Sequence, residues 1–141
     1  MLPEDGYHKE RQAFFGSIGK TLNHILVGDR LWLSRFIGHS APFRTLDAIP
    51  YPERLILWGK RQELDQEIMT LFSHYNDDIL KTHFSYEDTE GTPQSIPAPI
   101  GFGQFFNHQT HHRGQVHNML SIAGTTPPPL DFSYFYFESK G

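Results

Sequence analysis

Four of the nine histidines in this chain lie between residues 108 and 117, in the stretch FFNHQTHHRGQVHNML. On a helix, which turns by about 100° per residue, His108 and His112 lie one turn apart on the same face. Gln115 falls beside them, whereas His117 points to the opposite side. Two imidazoles at this spacing can hold one divalent cation, because a nitrogen of each can lie about 2.0–2.1 Å from it. With nine histidines in 141 residues, the pair alone is a weak signal.

A third ligand would have to come from another helix, and His24 is the best candidate. It is flanked by Leu22, Ile25 and Leu26, which indicates an inward position, and Gly28 leaves space beside an imidazole one turn later. A buried polar group needs a partner. Two interpretations of His24 are therefore open: a core histidine that bonds to a backbone carbonyl, or a metal ligand.

Other polar residues near these segments have alternative interpretations. Asp29 could orient a ligand histidine, although an ion pair with Arg113 is the favoured interpretation. His111 either supports a ligand or faces solvent, and His117 is interpreted as structural. Gly114 costs about 1 kcal/mol in a helix interior, which suggests that another helix approaches closely there. Surface positions are expected for the remaining histidines: His8, His39, His74 and His83.

Three long helices must position these side chains. Apolar residues recur at helical spacing over residues 17–38, 51–75 and about 100–123, which predicts a helix in each segment. Ser17 is a candidate N-cap, Gly38 and Gly124 are candidate stops, and Pro52 fits a first helical turn. Residues 84–100 predict a short hairpin or an ordered loop. The aromatic tail LDFSYFYFESKG is expected to pack on the bundle or on another subunit.

The length fits a single domain spanning residues 1–141, and the three predicted helices indicate an all-α bundle. The expected location is the cytoplasm. The chain contains no cysteine, which excludes disulfides, thiolate metal ligands and a catalytic thiol of its own. Its net charge of -4 and the lack of a basic stripe argue against nucleic-acid binding. No secretion signal or membrane span is expected, since no apolar run approaches about 20 residues.

The segments TLNHILVGDRLWLSRF and FFNHQTHHRGQVHNMLSIAG together resemble the DinB family of bacterial damage-inducible proteins. The loop that precedes the second segment and the later PPPLDF resemble it as well. The resemblance implies a DinB-like helical bundle of the up-down-down-up type, usually a homodimer. It also implies a divalent metal held by His24, His108 and His112. Family members generally begin with a further helix, so the first helix is expected to be shortened or missing here, leaving an apolar groove.

Three histidines leave coordination positions open, as in a catalytic rather than a structural metal site. Zinc and nickel both suit imidazole, so either ion is expected. Relatives with this fold include thiol-dependent transferases, which implies an S-transferase that uses a low-molecular-weight thiol from solution and a small-molecule substrate. The alternatives are a metal-dependent hydrolase with Asp29 as its base, and a non-enzymatic metal-binding scaffold in a stress response.

Overall fold

The computed structural model of this protein describes residues 2–43 and 45–140. Its elements, in chain order, are α1 (Glu4–His8), α2 (Ile18–Ile37), α3 (Arg54–Ser73), a 3-10 helix (Asp77–Lys81), β1 (His83–Glu87), β2 (Pro93–Pro97), α4 (Ala98–Ile122) and α5 (Phe132–Glu138). The mainly helical fold and the hairpin before the last long helix confirm the predicted class. A single domain over residues 1–141 stays a prediction, because Met1, Arg44 and Gly141 lie outside the described residues.

The ends of α2 are where the sequence predicts them. The Ser17 hydroxyl accepts a hydrogen bond from the Lys20 backbone N–H at 3.2 Å, which satisfies one of the free donors of the first turn. Gly38 ends the helix with φ at 70°, a left-handed conformation that costs glycine little. α2 is thus a well-bounded helix that can hold His24 in a constant position.

The directions of the three long helices follow from their contacts. Asn23 bonds to Tyr51, Asp29 pairs with Arg61, and Phe36 packs on Phe72, so α3 runs parallel to α2. In α4 the order is reversed, because His24 contacts His112 while Phe36 contacts Phe102 and Phe105. The two parallel helices followed by an antiparallel one form the last three members of an up-down-down-up bundle.

An aromatic cluster closes the bundle at the end far from the histidines. Phe36 is its centre, with ring centroids 4.7 Å from Phe84 and 5.6 Å from the fully buried Phe105. Phe84 comes from the hairpin, in which β1 and β2 pair antiparallel with Ser85 opposite Ser95. The rings bury large apolar surfaces, and their packing fixes where α4 lies along α2.

The opposite end is held by α1. Tyr7 is 1% exposed and lies against Gly19 of α2, where an added Cβ would come within 2.6 Å of the tyrosine ring. Beyond Tyr7, a mainly apolar cavity of about 310 Å³ runs between α2, α3 and α4, with Leu22, Leu57 and Trp58 in its walls. The predicted groove is therefore present, and α1 covers only its end.

One detail of the sequence interpretation is wrong, and one of the two alternatives for the aromatic tail is excluded. Pro52 does not enter the first turn of α3, because that helix begins at Arg54 with Glu53 as its N-cap. The aromatic tail does not pack on its own bundle: it forms the short α5, in which Phe132 is 81% and Phe137 67% exposed. Packing of this tail on another subunit stays a prediction. Among the described residues, no helix is both long and apolar enough to cross a membrane.

Candidate metal centre

The structure brings His24, His108 and His112 together at the contact between α2 and α4. The Nε2 atom of His24 lies 3.0 Å from Nε2 of His108 and 3.1 Å from Nε2 of His112. His24 and His112 are buried, and His108 is half-buried. We refer to these three side chains as the three-histidine cluster.

The three-histidine cluster has dimensions that fit a metal ion. A metal–nitrogen distance of about 2.0–2.1 Å places two ligand nitrogens about 2.9 Å apart at a right angle and about 3.4 Å apart at a tetrahedral angle. The two Nε2 separations measured from His24, 3.0 and 3.1 Å, lie within that range. Histidine, aspartate and glutamate side chains can all bind a metal ion. Among the described residues, the three-histidine cluster is the group of such side chains whose ligand atoms converge closely enough to hold one.

In two of these histidines, a hydrogen bond from Nδ1 leaves Nε2 as the nitrogen that faces the cluster. Nδ1 of His24 donates to the backbone carbonyl of Leu46 at 2.7 Å. Nδ1 of His112 donates to the Gln115 side-chain oxygen at 2.8 Å. Both partners are acceptors, so the proton sits on Nδ1 and the lone pair of Nε2 points into the cluster. This is how a second hydrogen bond orients a histidine ligand.

The cluster also keeps its imidazoles neutral. Burial, together with the neighbouring His112 and His24, lowers the pKa of His108 to about 4. Burial likewise lowers the pKa of His24 and of His112, against the bonds to Leu46 and Gln115 that raise it. Only the neutral ring can coordinate a cation, so at neutral pH the cluster needs no deprotonation before it binds.

Gly28 provides the space for the second histidine. A Cβ at this position would lie 2.5 Å from Cε1 and 3.0 Å from Nδ1 of His108. The sequence interpretation had placed this space beside His24, whereas the ring that uses it belongs to His108 on α4. The absence of a side chain at residue 28 therefore lets α4 bring His108 close enough to His24.

Asp29 does not have either of its predicted partners. Its carboxylate, 1% exposed, pairs with Arg61 of α3 at 2.5 Å, while Arg113 lies exposed on the surface. It does not orient His24 or His112, whose Nδ1 atoms bond to Leu46 and Gln115. Burial raises the pKa of Asp29, and the Arg61 guanidinium opposes that rise. Asp29 therefore fastens α3 to α2.

The remaining predicted positions have mixed outcomes. His111 is exposed, and its Nε2 lies 3.3 Å from the Gln115 amide nitrogen, so it contacts the residue that supports His112. Gly114 has no atom within 4 Å of an added Cβ, so the expected close approach of another helix there is wrong. The four surface histidines are exposed as predicted: His8, His39, His74 and His83.

Sequence reasoning offered a backbone carbonyl as a partner of His24, but it did not identify two residues that contribute to this site. Leu46 acts through its backbone carbonyl, in the loop between α2 and α3, and a backbone acceptor carries no residue-type signal. Phe15 precedes α2 and stacks on His24, with ring centroids 4.0 Å apart and planes 26° apart. Its only sequence signal is that one of two adjacent phenylalanines lies close before the N-cap of a histidine-bearing helix.

Comparison with known proteins identifies the family of this chain. The model of the DinB family matches residues 1–139, nearly the whole sequence. The chain belongs to the DinB family. A curated relative, Protein DinB of Bacillus subtilis strain 168, is 26% identical over 148 aligned positions. The alignment covers 99% of this chain and 83% of the relative. No solved structure matches the chain. The DinB resemblance predicted from the sequence is thereby confirmed, and with it a histidine cluster compatible with metal binding.

Proposed function

We propose that this DinB-family chain binds one divalent metal ion, zinc or nickel, through His24, His108 and His112, and is a metal-dependent enzyme. The observation that carries the proposal is the convergence of three Nε2 atoms, two separations of which are 3.0 and 3.1 Å. The three ligands come from two helices and leave coordination positions for a reactant, as in catalytic sites. A small molecule is the proposed substrate.

The proposed reaction is transfer of a low-molecular-weight thiol to an electrophile. When bound, a metal lowers the pKa of a coordinated thiol, so that the thiolate is present at neutral pH. The chain has no cysteine, so the thiol comes from solution. A sulfur–carbon bond forms, the bond from that carbon to its leaving group breaks, and the thiol proton ends on the leaving group or in water. The role of the protein itself is to orient the histidine ligands through their hydrogen bonds to Leu46 and Gln115. It also keeps these histidines neutral.

Hydrolysis is the rival within the enzyme class, because water can take the place of the thiol. It calls for a carboxylate base beside the site, and the sequence offers Asp29. The bond between Asp29 and Arg61 engages that carboxylate in the contact between α2 and α3. This favours thiol transfer over hydrolysis. The proposed protein is also a cytoplasmic homodimer and does not bind nucleic acid. The net charge of -4 argues against nucleic-acid binding.

The first test is elemental analysis of the purified protein beside His24→Ala and His112→Ala. About one zinc or nickel ion per chain in the wild type, lost in both variants, is the expected result. His117→Ala, which lies on the opposite face of α4, is the matched control and retains the metal. A wild type that takes up neither ion, even after incubation with both, would refute the metal site.

The second test measures thiol consumption with metal-loaded protein, a panel of common cellular thiols and a model electrophile. Acceleration that disappears in His112→Ala supports S-transfer. Acceleration of ester or amide hydrolysis without any thiol would favour the hydrolase instead. A fully loaded protein that accelerates neither reaction would indicate a metal-binding scaffold.

A further inference from the structure

Phe15 has a contact that none of the proposed ligand roles explains. Its ring is stacked on His24 at a centroid distance of 4.0 Å and meets His112 edge-on at 5.6 Å. It therefore touches one histidine from α2 and one from α4. The side chain is half-buried, whereas the adjacent Phe14 is 86% exposed. Two neighbouring residues of the same type thus have opposite surroundings.

The turn before α2 holds Phe15 in this place. The backbone N–H of Arg11 bonds to the Gly16 carbonyl at 2.6 Å, and the Gly16 N–H bonds to the Ala13 carbonyl at 2.9 Å. Gly16 has φ at 80°, a conformation that residues with a side chain rarely adopt. The turn is therefore closed on itself directly beside Phe15, so its ring does not depend on a mobile segment.

His24 needs a second constraint besides its hydrogen bond. The bond from Nδ1 to the Leu46 carbonyl sets the direction of one N–H but leaves the ring free to rock about that bond. Rocking moves Nε2, the atom that lies near His108 and His112. Sites of this kind tolerate displacements of only about 0.5 Å. An aromatic face stacked at 26° on the imidazole opposes the rocking, because tilting either ring breaks the contact.

We propose that Phe15 is a positioning residue for the three-histidine cluster: its ring holds the His24 imidazole in the plane that aims Nε2 at the bound metal. The inference rests on the proposed metal binding and deepens it. Phe15 also contacts His112, so the same ring lies against a proposed ligand from each of the two helices.

The experiment compares Phe15→Leu with Phe132→Leu, a matched change in an exposed ring of α5. Zinc affinity is measured by competition with a chromophoric chelator, and the visible spectrum is recorded with cobalt in place of zinc. We expect Phe15→Leu to bind zinc about two- to tenfold more weakly, from the usual strength of an aromatic contact. Its cobalt bands change in position or intensity. Phe132→Leu keeps the affinity and the spectrum of the wild type.

A third variant separates positioning from general packing. Phe15→Tyr retains the ring, so it should restore both the affinity and the cobalt spectrum. Wild-type affinity and spectrum in Phe15→Leu, or an equal loss in Phe15→Tyr, would overturn the inference. The wild-type titration reports separately on the proposed function: if it shows no binding, both proposals fail, whereas binding that Phe15→Leu does not alter removes only the role of Phe15.

Discussion

Gly28→Ala should weaken metal binding without weakening the fold. The added Cβ would lie 2.5 Å from Cε1 of His108, and two carbon atoms in contact need about 3.5 Å. The imidazole must therefore retreat by about 1 Å, twice the displacement of about 0.5 Å that such a site tolerates. The ring cannot move freely, because its centroid lies 4.9 Å from that of His24 and 4.4 Å from that of His112.

The same substitution has an opposite effect on the helix. Alanine is favoured over glycine in a helix interior by about 1 kcal/mol, and Gly28 lies in the middle of α2. We expect the free energy of unfolding of the metal-free variant to lie within about 1 kcal/mol of the wild-type value. Its zinc affinity should fall at least about tenfold, the scale on which displaced ligand support acts. The pair of results distinguishes a displaced ligand from a damaged fold.

The assay is zinc competition with a chelator, together with urea unfolding of the metal-free protein. Gly114→Ala is the matched control, since an added Cβ there has no neighbour within 4 Å. It should gain helix stability and keep its zinc affinity. If Gly28→Ala binds zinc as tightly as the wild type, the close approach of His108 to α2 is not what shapes the site.

Three further predictions concern the surroundings of the cluster. Gln115→Leu removes the acceptor for Nδ1 of His112, so zinc affinity measured by competition should fall about tenfold, whereas Gln115→Glu retains an acceptor and most of the affinity. Asp29→Asn removes the charge that pairs with Arg61 and should lower the free energy of unfolding in urea by about 2 kcal/mol, with zinc affinity unchanged. The folded-state pKa of His108, about 4, lies below the unfolded value of 6.5. The neutral His108 therefore contributes to the free energy of unfolding above pH 6.5, and this contribution is lost as pH falls toward 4. Allowing for its partial exposure, this loss should be about 2 kcal/mol in the metal-free protein, measured by urea unfolding at both pH values.

Each of these predictions has a result that would contradict it. Equal zinc affinity in Gln115→Leu and the wild type would show that His112 is oriented without its amide partner. A large loss of zinc affinity in Asp29→Asn would indicate that Asp29 helps to orient a histidine ligand. For the pH dependence, His108→Gln is the reference, because it keeps the other titrating groups. If the free energy of unfolding changes equally with pH in His108→Gln and in the wild type, His108 is not the source of the pH dependence.

Much of this protein follows from local sequence patterns. The limits of α2, with its Ser17 cap and Gly38 stop, depend on neighbouring residues only, and the structure has them where the pattern predicts. The shared face of His108 and His112 follows from a spacing of four residues on one helix. The hairpin before α4 is bounded by turn-forming residues and is also present. These features need no knowledge of what packs against them.

Contacts between elements were decided only by the tertiary structure. Asp29 and Arg61 are 32 positions apart, and only the parallel packing of α2 and α3 makes them partners. His24 acquires its acceptor from the Leu46 backbone and its stacked neighbour from the turn before α2. A helical pattern reports which face of a helix is buried, but it does not report which residue of another element meets that face. The side chains that could bind metal were therefore readable from the sequence, whereas the groups that orient them required the fold.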